Sequence, residues 1–150
     1  MRVSELMTTR VEAVTPDMPA EDAWELMRRK RIRHLVVMRG TSVAGIVSDR
    51  DLGGRAGGLV RAGKTVADLM TSNVVSIEPR ETVRGAANRM RGRTIGCLPV
   101  VERGRLAGVI TVSDLLALVG RGADRPRPGT RASTHYRVPH RKQHQAGRAW

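Results

Sequence analysis

With 150 residues and 40% apolar content, the chain can bury one compact core, or two small ones packed together. Nothing in it approaches the roughly 18 apolar residues of a membrane helix, and the start MRVSELMTT lacks the apolar stretch of a secretory signal. The single cysteine, Cys97, excludes an intramolecular disulfide framework, so a cytoplasmic protein without membrane contact is expected.

The first elements read in order as a short helical turn ending at Met7, an extended segment VEAV, and a stop at Pro16, which has no N–H to donate to a ladder. A helix follows in PAEDAWELMRRK. Ala23, Leu26 and Met27 recur there at helical spacing, with Glu21 and Asp22 in the first turn and Arg28 to Arg31 in the last. Two β-rich runs, HLVVM and SVAGIVS, are joined by RGT as a hairpin, and a second helix is expected after Ser48. The linker GGRAGGLVRAGKT then contributes five glycines. Gly53 and Gly54 each weaken a helix by about 1 kcal/mol relative to alanine, so this second helix is expected to be short or frayed.

Beyond the linker the same order begins again. Shifting the chain by 63 residues places VSELMTTRVEAVTP on VADLMTSNVVSIEP and HLVVMRGTSVAGIVSDRDL on CLPVVERGRLAGVITVSDL without a gap. Identical pairs include Leu6/Leu69, Met7/Met70, Thr8/Thr71, Pro16/Pro79, Gly45/Gly108 and Asp51/Asp114. The expected fold class is therefore α/β (α+β), two β-α-β-β-α units in tandem. The first unit with its Gly-rich linker takes residues 1–63 and the second takes 64–120. Residues 121–150 hold eight Arg/Lys against one acid and three prolines, and read as a basic disordered tail carrying more than half of the net charge of +13.

The strand-to-helix joints carry the informative polar residues. In GIVSDRDL the pair Ser48 and Asp51 forms an S-x-x-D pattern, and GVITVSDL repeats it as Thr111 and Asp114. A capping box explains such a pair by itself. Its recurrence where the intervening residues differ favours a second reading, because a carboxylate with two acceptor oxygens suits the vicinal hydroxyls of a ribose. Gly45 and Gly108, three residues before the hydroxyls, permit close backbone approach. Arg50, inside the expected first helical turn, could add a bidentate phosphate contact, whereas the matching Ser113 carries no charge. Arg55 reads equally as a second cation or as an ordinary exposed arginine, and His34 either approaches a base or phosphate or is a hydrogen-bonded residue beside the hairpin.

The gapless tandem, the order of elements, the joints GIVSDRD and GVITVSD and the LMT near each start together resemble the cystathionine-beta-synthase (CBS) domain family, over residues 1 to about 120. The resemblance implies units packed as a pseudo-twofold pair through their sheets, dimers of such pairs, and clefts between units that bind AMP, ADP, ATP or S-adenosylmethionine. It assigns the joint hydroxyls and aspartates to ribose and phosphate. It assigns adenine to backbone and aliphatic groups at Ala13, Val14, Thr15, His34, Leu35 and Val36 for the first site. For the second site it assigns Ser76, Ile77, Cys97, Leu98 and Pro99. Val36 departs from the family pattern, since the second unit has Pro99 there. No aromatic stack is available, Trp24 being the sole aromatic residue of the repeats.

The expected function is thus a non-catalytic regulatory module for an adenosyl ligand, acting as a homodimer on a regulated protein that the sequence does not identify. A binder of nucleic acid through the tail, non-specific and salt-sensitive, and a dimerisation scaffold with decayed sites are the alternatives. No catalytic set assembles from Ser48, Asp49 and Asp51 without a positioned histidine. His135, His140 and His144 in the tail have no nearby Cys or acid, so no metal site is expected.

Overall fold

The computed structural model describes residues 1–121; the tail expected beyond them lies outside the described residues. A 3-10 turn at Val3–Glu5 opens the chain, followed by strand β1 (Ala13–Val14), helix α1 (Ala20–Lys30) and the hairpin β2 (His34–Arg39) and β3 (Ser42–Ser48). Two four-residue helices follow, α2 (Gly58–Arg61) in the linker and α3 (Val66–Leu69), which opens the second repeat as the Val3–Glu5 turn opens the first. That repeat comprises α4 (Val83–Arg93), the hairpin β4 (Cys97–Glu102) and β5 (Arg105–Thr111), and α5 (Val112–Gly120).

Each helix of the repeat is bounded by local chemistry. Thr82 caps α4 by accepting from the Gly85 N–H at 3.0 Å, and Arg31 and Thr94 end α1 and α4 in the left-handed conformation at φ 58° and 55°. The buried faces correspond across the repeat: Ala23 and Met27 in α1, Ala86 and Met90 in α4. Both hairpins carry a bulge at the same repeat position. The register slips between Val37 and Met38 and again between Val100 and Val101, leaving Ala44 and Ala107 as the extra residues.

The first sheet has the order β1-β2-β3, with β1 parallel to β2 and β2 antiparallel to β3. In the second unit the extended segment before Pro79 reduces to one parallel bridge, Ile77 to Val100, beside the β4–β5 pair. The two sheets meet through Val36, Cys97 and Val109, with Ile46, Val43, Met38 and Leu106 packed around them. These include residues at equivalent repeat positions, such as Ile46 and Val109, as a pseudo-twofold interface requires.

The LMT segments cross between units. Val3 and Leu6 lie in the core of the second unit with Ile77, Met90 and Leu98, while Val66 lies in the core of the first with Val14, Met27 and Leu35. Thr8 exchanges two backbone hydrogen bonds with Val109, at 2.8 and 2.9 Å, and Thr71 does the same with Ile46, at 2.9 and 3.0 Å. Gly45 and Gly108 are explained by this crossing. A methyl group at Gly45 would stand 2.6 Å from Met70 Sδ and 2.8 Å from the Thr71 carbonyl oxygen; at Gly108 it would stand 2.5 Å from the Thr8 carbonyl oxygen. The close approach expected at these glycines is therefore made by the chain itself.

The helix expected after Ser48 does not form. Leu52 donates to the Ser48 carbonyl at 3.2 Å, completing a single turn, and the chain then leaves through Gly53 at φ 88° and Gly54 at φ 67°. Two consecutive residues in a left-handed conformation cannot continue a right-handed helix. In the second unit, whose sequence continues with Leu116 and Ala117 at these positions, α5 runs on to Gly120.

Candidate functional site at the two strand ends

Antiparallel pairing brings His34 opposite Ser48 at the end of the first hairpin, and Cys97 opposite Thr111 at the end of the second. Beyond each strand the hydroxyl and carboxylate close on one another. The Ser48 N–H donates to Asp51 Oδ2 at 2.9 Å and the Asp51 N–H to Ser48 Oγ at 3.1 Å. The Thr111 N–H donates to Asp114 Oδ2 at 2.8 Å and the Asp114 N–H to Thr111 Oγ1 at 3.3 Å. The capping geometry is present at both joints, although only the second caps a helix. Asp51 is half-buried, whereas Asp114 is fully buried.

The first joint carries charge that the second does not. The Asp49 N–H donates to the Arg33 carbonyl at 3.0 Å, which holds Arg33, His34, Asp49 and Arg50 around one turn. Burial pushes the Asp49 carboxyl up, against the opposing pull of Arg33. Burial likewise lowers the Arg33 guanidinium, with Asp49 opposing and Arg50 adding to the shift. His34 is pushed down to about 4, first by burial and then by the Arg33 charge, so its imidazole is neutral at pH 7. Its Nε2 lies 3.9 Å from where a side chain on Gly96 would begin, which puts the ring beside the second unit. Arg50 and Arg55 are exposed. Arg50 does not sit in the first turn of a helix, so the helix-dipole part of its expected phosphate contact does not apply.

The residues expected near adenine divide into two groups. Val14, Leu35, Ile77 and Leu98 belong to the two cores, and Val36 and Cys97 to the interface between sheets, so their side chains are committed to packing. Ala13 pairs with Val36 in the parallel ladder. The Ile77 N–H donates to the Pro99 carbonyl at 3.0 Å, and the Ser76 carbonyl accepts from Arg89 Nη1 at 2.8 Å. Thr15 turns its hydroxyl onto Asp17 at 2.6 Å. A cavity of about 240 Å³ lies between the hairpins of the two units, lined by Ser42, Val43, Val74, Ser76, Val101 and Gly104. Of the expected residues only Ser76 lines it, and it is smaller than the roughly 300–1,000 Å³ of a small-molecule cleft.

Arg33 and Arg89 were not singled out in the sequence, and Asp49 was weighed there only as part of a catalytic set. For Arg33 and Asp49 as a pair the signal was present in the repeat register, which sets them against Gly96 and Val112, so a charged pair stands where the other unit is uncharged. Among the described residues no group of three or more His, Cys, Asp or Glu could hold a metal, and the tail histidines lie outside them. No helix among the described residues is long and apolar enough to cross a membrane.

Comparison with known proteins agrees with this architecture. The family model of the CBS domain matches twice, at residues 3–52 and 66–121. The CBS domain-containing protein YhcV of Bacillus subtilis (strain 168) is 30% identical over 114 residues, covering 75% of this chain and 81% of that protein. The structure of CBSX2 in complex with AMP is similar with a TM-score of 0.71 and 28% identity, covering 82% of this chain and 98% of that one. The CBS domain pair of protein MJ0100, in complex with 5'-methylthioadenosine and S-adenosyl-L-methionine, shares the fold at a TM-score of 0.74 and 24% identity, over 81% and 98% of the two chains. Two matched units in tandem, exchanged leading segments and sheets joined face to face place this chain in the CBS domain family, as a CBS domain pair.

Proposed function

We propose that the protein is a non-catalytic regulatory module that binds an adenine nucleotide or another adenosyl compound, from the set AMP, ADP, ATP and S-adenosylmethionine, between its two units. The observation that carries this reading is the repeated joint: a hydroxyl and a carboxylate, closed by the same two hydrogen bonds, at the ends of both hairpins. Each carboxylate spends Oδ2 on the backbone, and ribose hydroxyls are the donors that a carboxylate in this position suits. The AMP complex of CBSX2, at 28% identity over most of this chain, supports the ligand class. The exposed apolar flank of α5, with Leu116 63% and Val119 73% accessible, supports a homodimer.

Calorimetric titration of the four compounds into the wild-type chain and into the Asp51→Asn and Asp114→Asn variants tests the proposal. Binding of at least one compound, weakened by one or both substitutions, is the expected result. Absence of heat with all four compounds rejects the module reading in favour of a scaffold. The tail supports a second reading, association with nucleic acid; truncation after residue 121 should abolish salt-sensitive DNA binding, and unchanged affinity would remove the tail as its cause.

A further inference from the structure

Arg61 is a buried arginine, 4% exposed, that belongs to neither joint. Its Nη1 donates to two carbonyl oxygens of the turn after Asp51, Leu52 at 2.8 Å and Gly54 at 2.7 Å. Its Nε donates to Glu21 Oε1 on α1 at 2.8 Å, and its guanidinium carbon lies 4.5 Å from the centre of the Trp24 ring. One side chain thus ties the segment leaving Asp51 to the first two turns of α1. A planar cation with donors in fixed directions can make these contacts together, where a lysine ammonium would have to choose among them.

The repeat shows what this device replaces. In the second unit the carbonyls after Asp114 are taken up by α5, beginning with the capped turn at Thr111. In the first unit Gly53 and Gly54 end the turn; the Leu52 carbonyl takes Arg61 as its donor, and the Gly54 carbonyl accepts from Arg61 as well as from the Gly57 N–H at 3.0 Å. The repeat partners of Arg61, Glu21 and Trp24 are Asp124, Arg84 and Ala87, so none of the three residues is repeated. They occur in the unit that lacks the helix.

The geometry points to Arg61 as the positioning residue of the first ligand site. It holds the Ser48–Asp51 turn in its binding shape in place of a helix, and it links occupancy of that turn to Trp24 on α1. The ligand part of this inference rests on the function proposed above; the holding of the turn does not. Asp51 is joined to Leu52 directly, and Leu52 N–H to Ser48 by the hydrogen bond that closes the turn, so a shift at either end reaches the Arg61 contacts within one residue. The link therefore runs through covalent and hydrogen bonds rather than through distance alone.

The test uses the full chain with Trp150→Phe, so that Trp24 is the sole tryptophan. Arg61→Met keeps most of the stem and removes the donors, and Arg61→Lys restores the charge without the fork. Amide exchange without ligand should be at least tenfold faster at Leu52, Gly53 and Gly54 in Arg61→Met, with α5 unchanged. Equal protection in the variant and the parent overturns the inference whether or not any nucleotide binds. With AMP, the affinity of the first site should fall about tenfold or more in Arg61→Met and recover only in part in Arg61→Lys. Trp24 emission should respond to AMP in the parent and not in Arg61→Met. AMP binding to the parent at the first site with an unmoved Trp24 signal, or undiminished affinity in Arg61→Met, would refute the coupling. Failure of the parent to bind any adenosyl compound, together with the exchange effect, would reject the proposed function and leave the positioning role standing.

Discussion

Replacing Gly108 by alanine should destabilise the protein far more than a surface substitution, because the added methyl would start 2.5 Å from the Thr8 carbonyl oxygen and 3.0 Å from Met7 Sδ. Neither Gly108 nor Gly45 has a positive φ, so the cost is steric rather than conformational. The methionine sulfur can move aside; the carbonyl is fixed by its hydrogen bond from the Val109 N–H at 2.9 Å. Forcing one extra methyl into a packed site costs about 1–3 kcal/mol, and loss of the two Thr8–Val109 hydrogen bonds adds about 0.5–1.5 kcal/mol each, giving about 2–6 kcal/mol in total. At about 4 °C per kcal/mol for a domain of this size, the thermal midpoint should fall by roughly 8–24 °C. Gly45→Ala meets the flexible Met70 sulfur at 2.6 Å and its backbone obstacle, the Thr71 carbonyl oxygen, farther off at 2.8 Å, so it should cost less. Urea denaturation of both variants with matched thermal melts reads the difference. A wild-type midpoint for Gly108→Ala, or a larger loss for Gly45→Ala, would refute the packing of the LMT segments onto the opposite units.

The two aspartates should differ in the same assay. Asp114→Ala leaves the buried Thr111 N–H without its acceptor and should cost about 1–3 kcal/mol, whereas Asp51→Ala at a half-buried joint should cost nearer 1 kcal/mol; equal losses would contradict the burial difference. His34 should make stability depend on pH. With its folded value near 4 and an unfolded value near 6.5, the unfolded chain binds more protons between these limits, so stability falls as pH drops from about 6.5 towards 4. His34→Gln should flatten that limb of the curve of unfolding free energy against pH, and an unchanged slope would count against the buried neutral imidazole. Leu116→Asp combined with Val119→Asp should convert a dimer to a monomer in light scattering with the circular dichroism unchanged; an unaltered mass would exclude α5 from the interface.

The fold was largely legible because repetition exposes architecture without any outside comparison. Leu6, Met7, Gly45, Asp51 and their partners 63 residues on set the units, the hairpins and the joints. The exchange of the LMT segments was not legible, since Val3 and Val66 have the same apolar character whichever core receives them. Gly45 and Gly108 held the clue, but a glycine in a strand signals close approach without naming what approaches. The absent helix after Ser48 followed from Gly53 and Gly54, whose left-handed backbone stops the turn at Leu52 instead of fraying a longer helix. At the candidate site, the pairing of Ser48 with Asp51 and of Thr111 with Asp114 was readable as a local pattern. The Arg61 contacts were not, because Leu52, Gly54, Glu21 and Trp24 are brought to it only by tertiary packing.

On the proposed function, the two joints would attract an anion by different means. The second places Asp114 at the start of α5, nine residues long, whose N-terminal end carries a partial positive charge that the Asp114 carboxylate partly offsets, and its sequence there adds only the neutral Val112 and Ser113. The first lacks the helix and with it that field, but it gathers Arg33 and Arg50 around the same turn. Asp49 offsets part of this charge, so the net attraction at the first joint depends on Arg50, which is exposed and open to screening by salt. A fixed backbone field and an exposed guanidinium are not equivalent: the first is set by the fold, while the second can be turned towards a phosphate or away from it. The unequal joints follow from Gly53 and Gly54. By ending the helix they free the turn from α5-like support, and Arg61 and Arg50 supply by side chains what the second unit supplies by backbone.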